Sequence, residues 1–387
     1  MFYKRLILGK LNKYLEYPEA LVITGMRRVG KTSILRHLFD NIKSSNKAFY
    51  DFGSPLHRQK FEKIDYDGIL DGLAKDGISK KERAYIFIDE IQNLPQISSV
   101  IKYLIDHYQT KFFVTGSSSY YIKNLFPESL AGRKFIFEVF PLTFSEFLEF
   151  KNKRTNLGRK DIVIYNEYSG LYNEYVAFGG FPEVVLEQDI ATKENRLDGI
   201  FTSYFENDVK TLADFRDASV LRDLIILLAN QTGSKTDISK LASATGVSRN
   251  TIYSHLTFLE ETYFIKLLPQ FSRNYFRQAA GSKKVYFCDS GLANFLAKPS
   301  QGQLFEQSIF QNLRINHELA YFDKGGGSEI DFIVDKKMAI EAKVTAGKRD
   351  VANLERRSKM IDINNYKVAT LYYSEEKHTI PALSLLE

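Results

Sequence analysis

The sequence predicts an α/β fold with a parallel sheet at its core, followed by helical and smaller mixed segments. Three observations predict it. Gly25-Met26-Arg27-Arg28-Val29-Gly30-Lys31-Thr32 reads G-x-x-x-x-G-K-T. It stands between the apolar run Ala20–Thr24, suited to a buried strand, and Ser33–Phe39, apolar at helical spacing. Ala84-Tyr-Ile-Phe-Ile-Asp89-Glu90 is an apolar run that ends in two adjacent acids, as a central parallel strand does when it stops at a site. Lys111-Phe-Phe-Val-Thr-Gly-Ser-Ser118 is another apolar run ending in small hydroxyl residues.

At 387 residues the chain is too long for one ordinary domain, and two or three are expected. An apolar content of 44% with 26% charged residues belongs to a globular class, not a disordered one. No apolar run approaches the length of a membrane helix; Asp223–Ala229 is typical of the longest. The first ten residues lack a signal-peptide apolar core. A single cysteine, Cys288, forms no intrachain disulfide. The expected location is therefore the reducing cytoplasm, with no membrane partner. Six scattered histidines and one cysteine argue against a structural zinc site. The net charge of +6 permits nucleic-acid binding without establishing it.

In chain order, residues 1–19 read as a helix leading into the first strand. Glycines at 25 and 30 allow a tight turn that approaches an anion, and the following helix start favours negative charge. This is the phosphate-binding loop of P-loop NTPases. Gly25, Arg27, Arg28, Val29, Gly30, Lys31, Thr32 and Ser33 are its nucleotide-binding candidates. Lys31 is expected on the β- and γ-phosphates, and the Thr32 hydroxyl on Mg²⁺. Arg27 and Arg28 read equally as contacts to phosphate or to an acidic partner, or as solvated arginines.

Lys47–Phe52 reads as a second strand, and residues 60–82 as a charged helical connection. In the Walker B pattern, Asp89 holds Mg²⁺ through water and Glu90 orients and deprotonates the attacking water. Val100–His107 is a helix. At the end of the next strand Ser117, with Thr115 second, is the candidate sensor of the γ-phosphate; a serine-rich turn capping a helix is the other reading. Arg133, in Ala131-Gly-Arg-Lys-Phe135, reads either as an arginine finger toward a neighbouring subunit or as a surface ion pair. Phe135–Phe140 is the expected last strand. The Asn-Lys-x-Asp signature of guanine recognition is absent, so the nucleotide is expected to be ATP.

Residues 1–150 are thus assigned to a P-loop ATPase core. Lys151–Asp161 is polar and basic, as in a linker, and residues 151–230 have the size and position of a helical lid, broken at Gly179-Gly-Phe-Pro-Glu183. Residues 231–300 carry a helix-turn-helix pattern: Ile238–Thr245, a turn at Gly246-Val-Ser248, and a second helix Arg249–Glu261. Phe264–Leu268 and Lys283–Phe287 are expected wing strands, with basic residues Arg273, Arg277, Lys283 and Lys284. Arg249, Asn250, Tyr253 and Ser254 stand where such a helix reaches base edges. Packing within a multidomain ATPase is the other use of a winged helix.

Residues 301–387 hold a second candidate site. Glu306 lies on a predicted helix. Gly325-Gly-Gly-Ser precedes a strand with Glu329 and Asp331 on one face, and Met338–Lys343 is a second strand on which Glu341 and Lys343 share a face. Carboxylates so placed can hold Mg²⁺ while the lysine supports an attacking water. Ordinary alternation of polar residues on a hairpin is the other reading.

Together these residues resemble the AAA+-like ATPases of bacteria and archaea that carry a C-terminal domain of unknown function. The marks are Gly25–Thr32, Ile88-Asp-Glu-Ile-Gln92, Thr115-Gly-Ser-Ser118, Gly132-Arg133, Pro141-Leu-Thr-Phe-Ser-Glu-Phe147 and Gly179–Glu183. The ending resembles PD-(D/E)xK nucleases at Glu306, Asp331, Glu341 and Lys343, although Glu329 stands where that motif has its proline. The resemblance implies an AAA+-like parallel sheet core with a helical lid, a winged helix and a small restriction-endonuclease-like α/β end. ATP and Mg²⁺ are the expected ligands; DNA is a candidate partner through the winged helix and the end domain, and a second copy of this chain is a candidate partner through Arg133. Three functions fit: an ATPase coupling nucleotide state to DNA processing, a nucleotide-controlled DNA-binding or signalling switch with an inactive end domain, or a protein-remodelling ATPase that never meets DNA.

Overall fold

The structure is a computed structural model and describes residues 2–62, 65–117, 132–153, 160–210, 218–272, 281–325 and 327–385. The chain divides into two compact units, Met1–Phe140 with Glu261–Tyr263, and Pro141–Glu260 with Phe264–Glu387. The segments 151–230 and 301–387 separated by sequence pattern fall in the second unit, as does 231–300 apart from Glu261–Tyr263.

The first unit is built on five strands: β1 (Ala20–Thr24), β2 (Lys47–Asp51), β3 (Ala84–Asp89), β4 (Thr110–Gly116) and β5 (Lys134–Glu138). They form one parallel sheet in the order β2-β3-β4-β1-β5. Position in the sheet explains the patterns. Central β1 and β4 are buried along their whole length, whereas the edge strands β2 and β5 alternate or face water. Helices Lys31–Asn41 and Ile97–His107 follow β1 and β3, each with one apolar face inward. Residues 1–19 are less helical than their pattern predicts. They hold a five-residue helix, Ile7–Leu11, and a 3₁₀ turn, Asn12–Tyr14. Only Leu8 and Leu11 of this stretch are buried in those elements, too little apolar surface to fix a longer helix.

In the second unit the Pro141–Phe147 stretch becomes the helix Phe144–Phe150, started by a reciprocal capping box between Thr143 and Glu146. The Gly179-Gly180 break lies beside it. Leu142 N–H donates to Gly180 O (2.7 Å), and Gly180 N–H donates to the fully buried Asp289 carboxylate (2.7 Å). Gln311 Nε2 and Leu292 N–H donate to the same carboxylate, both at 3.1 Å. Burial still pushes the Asp289 pKa up to about 6. Two stretches that sequence alone leaves unrelated therefore share one buried polar hub. A Cβ on Gly180 would lie 2.3 Å from the Leu142 carbonyl oxygen, so the backbone must move to admit it. Gly180→Ala is expected to destabilise this unit by about 3 kcal/mol, the upper range for overpacking. Urea melts followed by circular dichroism will measure it, and an unchanged midpoint would refute the clash.

Helices Ile238–Thr245 and Arg249–Glu261 are separated by Gly246, in the left-handed region at φ 69°. Ser248 Oγ accepts from Thr251 N–H (3.1 Å) at the second helix start. An antiparallel pair follows, β6 (Ile265–Leu268) and β7 (Lys284–Phe287). Arg273 and Arg277, expected between them, lie outside the described residues.

The end of the chain forms a second five-stranded sheet of β8 (Leu319–Asp323), β9 (Glu329–Val334), β10 (Met338–Lys343), β11 (Asn365–Thr370) and β12 (Thr379–Pro381). Its order is β12-β11-β10-β9-β8. β8, β9 and β10 pair antiparallel; β10, β11 and β12 pair parallel. The helix Lys348–Lys359 makes the β10–β11 crossover that a parallel pair demands. The helix Gln301–Leu313 precedes the sheet.

Candidate functional site

The glycine loop leaves the buried strand β1 and ends on the helix Lys31–Asn41. Gly25 has φ 142°, and a Cβ there would lie 2.1 Å from the Val139 carbonyl oxygen, so glycine is required. Gly30 (φ 97°) is the left-handed N-cap of the helix, and no side chain caps that start. Arg28 is a non-glycine at φ 64°, a local strain held by the loop around it. Lys31 is 6% exposed, and its ammonium donates to the Gly25 and Met26 carbonyls, both at 2.8 Å. Val29 is buried, Arg27, Gly30 and Thr32 are half-buried, and Arg28 and Ser33 are exposed.

One residue of this site carries no sequence signal. The buried Arg5 guanidinium donates to Val29 O in the loop (2.8 Å) and to Phe140 O beyond β5 (2.8 Å). It ties the loop to the far side of the sheet edge. A lone arginine ahead of a short helix has no motif, and only its contacts find it.

Parallel pairing sets the other half of the site beside the loop. β4 lies between β1 and β3, with Thr24 level with Gly116 and Ile88 level with Val114. The ends of all three strands therefore open on one edge of the sheet, the position where open α/β sheets bind ligands. Asp89, 5% exposed, accepts from the Thr115 hydroxyl. Thr115 Oγ1 also accepts from Glu90 N–H (3.1 Å). Glu90 sits in the left-handed region (φ 55°, ψ 50°), and its carboxylate accepts from Gln92 Nε2. Gln92 Nε2 also donates to Ser117 Oγ (3.1 Å), while its Oε1 is buried with no hydrogen-bond partner. Gln92 thus links the acid to the hydroxyl strand. Ser117 meets Gln92, and Thr115, second by sequence pattern, meets Asp89; Ser118 lies outside the described residues.

Arg133 is at the other end of the sheet. Its carbonyl accepts from Ala20 N–H (2.8 Å) at the start of β1, about 16 Å of strand from the loop. Its guanidinium pairs with Asp106 (2.7 Å). Within its own chain it stands at the strand ends remote from Lys31.

In the second unit Arg249, Asn250, Tyr253 and Ser254 are all exposed on the Arg249–Glu261 helix, while Ile252, His255 and Leu256 are buried. Lys284 corrects the sequence reading of a basic wing. It is buried, and its ammonium contacts Glu329 (2.6 Å), Asp331 (3.1 Å) and Glu306 (3.2 Å). All four residues of β7 are buried, so the strand offers Lys284 no solvent face and its charge is met by carboxylates instead.

The four nuclease-like candidates come together there. Glu306 also accepts from Tyr286 OH (2.5 Å). Asp331 accepts from Ala342 N–H (2.9 Å). Glu341 pairs with Lys343 (3.1 Å) and Arg357 (3.2 Å). Burial, and then the Asp331 charge, push Glu306 up to about 8 and Glu341 to about 7. Burial works against the Lys284 ammonium, but Asp331, Glu306 and Glu329 outweigh it and hold its pKa above the usual lysine value. Among the described residues, no group of three or more His, Cys, Asp or Glu side chains is arranged to hold a metal ion. No helix among them is long and apolar enough to cross a membrane.

Residues 17–148 match a family model described as an AAA domain, and residues 169–303 match a domain of unknown function (DUF8612). Over 372 residues the chain is 30% identical to an uncharacterised protein, MJ1544, of Methanocaldococcus jannaschii, covering 92% of this chain and 82% of that one. It is 28% identical over 332 residues to a Haemophilus influenzae protein, covering 81% and 79%. Among solved structures, the Aeropyrum pernix ORC1 protein in complex with DNA matches 76% of this chain and 92% of its own, at 15% identity and a TM-score of 0.34. A likeness that low carries no argument about activity. The chain belongs to the family of the Methanocaldococcus jannaschii protein, and its residues 17–148 carry the AAA domain of a P-loop ATPase family.

Proposed function

We propose that the chain binds ATP with Mg²⁺ at Gly25–Ser33 and hydrolyses it, and that nucleotide state controls DNA binding or processing by the second unit. The observation that carries this is one sheet edge holding both the glycine loop and the Asp89–Glu90 pair, with β4 between them. The residues fit the ligands. The uncapped helix start at Gly30 suits a phosphate. Lys31, now held by two loop carbonyls, turns to the β- and γ-phosphates when they arrive. Thr32 and Asp89 are the groups to hold Mg²⁺, which when bound offsets phosphate charge. Glu90 accepts the proton of the attacking water. Ser117, through Gln92, reports the γ-phosphate to Glu90. Arg133 reaches only the nucleotide of another copy, so its use as an arginine finger requires oligomerisation.

Arg5 is a positioning residue in this reading. Arg5→Ala removes the tie between Val29 and Phe140 and is expected to weaken ATP binding about tenfold, the loss of one charged hydrogen bond. Titration with a fluorescent ATP analogue measures this, and the dissociation constant alone is expected to move, not the melting temperature of the second unit.

The exposed quartet Arg249, Asn250, Tyr253 and Ser254 supports DNA contact by a winged helix. The buried Lys284 among the nuclease-like carboxylates favours the second reading, a nucleotide-controlled DNA-binding or signalling switch whose end domain does not cut. The experiment is phosphate release from ATP, with DNA affinity measured against salt in the ATP and ADP states. DNA cleavage lost in Glu341→Ala would restore the processing enzyme. Salt-independent or absent DNA binding in both states would leave an ATPase acting on protein.

A further inference from the structure

Glu306, Glu329 and Asp331 converge on one point, and a lysine fills it. Lys284 Nζ lies 3.2, 2.6 and 3.1 Å from their carboxylates, and its side chain is 2% exposed. Three carboxylates around one buried centre suit a cation, and the ammonium fills that place, so among the described residues no arrangement is left open to hold a metal ion. A second observation lies beside it. Glu341 is 6% exposed; one oxygen is held by Lys343 and Arg357, while Oε2 is buried with no hydrogen-bond partner. A buried carboxylate oxygen without a partner is costly and marks a position where a donor or cation would be favourable.

The charges are also uneven. Four carboxylates, Glu306, Glu329, Asp331 and Glu341, face three cations, Lys284, Lys343 and Arg357. The neighbouring Lys235–Asp323 pair adds one of each sign. With all four acids ionised, a divalent ion in place of one ammonium would balance the set. Lys284 comes from β7, outside the β8–β12 sheet whose carboxylates it neutralises.

We propose that Lys284 is the resident cation of this cluster, and that a divalent metal enters, with Glu341 among its ligands, only when the Lys284 side chain is removed or withdrawn. The mechanism is competition for one position. A doubly charged ion and an ammonium cannot both occupy it, and the ammonium is already in place and desolvated. The cluster is then closed by β7, so movement of that strand is what opens it. This does not rest on ATP hydrolysis, and nucleotide-free protein tests it.

The experiment is Mn²⁺ binding to nucleotide-free protein, read by electron paramagnetic resonance and by the melting temperature. Wild type is expected to show no Glu341-dependent Mn²⁺ site. Lys284→Ala is expected to gain one, at least about tenfold tighter than any wild-type binding, with a melting temperature that Mn²⁺ raises. Glu341→Gln in the same background should abolish both effects. If Lys284→Ala does not fold without metal, Lys284→Ser takes its place in the assay, removing the ammonium while leaving Glu306, Glu329, Asp331 and Glu341 intact. The proposal is overturned if these variants gain no Mn²⁺ site, or if wild type already binds Mn²⁺ through Glu341 as tightly. A variant that stays unfolded at every Mn²⁺ concentration also overturns it, because a cluster able to accept the ion would be rescued.

Discussion

Lys31→Ala is expected to weaken ATP binding about 100-fold, the upper range for losing a charged hydrogen bond to phosphate. The loss has two parts. The ammonium that neutralises the β- and γ-phosphates is gone. So is the group that spans the loop, since Lys31 donates to both Gly25 O and Met26 O across it. Without those bonds the loop between β1 and its helix loses the conformation in which its amides are pre-aimed. The sheet does not depend on Lys31, because the β1 core residues pack among themselves and with the central strands. Far-ultraviolet circular dichroism should therefore be unchanged while calorimetric ATP binding collapses. Retained affinity in a folded Lys31→Ala protein would remove the basis for placing the nucleotide here.

The second large effect separates chemistry from binding. Glu90→Gln keeps the shape and hydrogen-bonding reach of the side chain but cannot take a proton. ATP affinity is expected to stay within about threefold, while turnover falls by about 10² to 10³, the usual worth of a general base. Glu90 is held for this role by its surroundings. Its left-handed backbone turns the side chain off the end of β3, its N–H donates to Thr115, and Gln92 holds its carboxylate. Single-turnover kinetics on saturated enzyme will separate the two quantities. A parallel fall in affinity would mean that Glu90 holds ligand or metal instead of activating water.

Much of this was legible in the residues alone. Gly25–Thr32, Ala84–Glu90 and Lys111–Ser117 each carry a local signature, a continuous apolar run followed by the residues its end requires. Because β1, β3 and β4 are central, those runs are apolar throughout, and their order predicts a shared edge. The helices Ile238–Thr245 and Arg249–Glu261 and the turn between them were equally legible, since Gly246 and Ser248 act on neighbouring residues. The Glu306, Asp331, Glu341 and Lys343 set was readable as an alternation on two strands and one helix.

The remainder depended on partners far apart in the chain. Arg5 bonds Phe140 across 135 residues, and Phe144 meets Asn312 across 168. Asp289 gathers Gly180 and Gln311 at one buried carboxylate. Lys284 read as one more basic residue of a wing until three carboxylates were found around it. Arg133 read as a finger or an ion pair until its strand end was known. Sequence by itself determined the strands of the first unit, the glycine loop that joins a buried strand to a helix and the acids that follow another buried strand, because those depend on backbone conformation and periodicity within a few residues. Tertiary structure alone decided which charge faces which, because the burial and pairing of a side chain are set by elements that arrive from elsewhere in the chain.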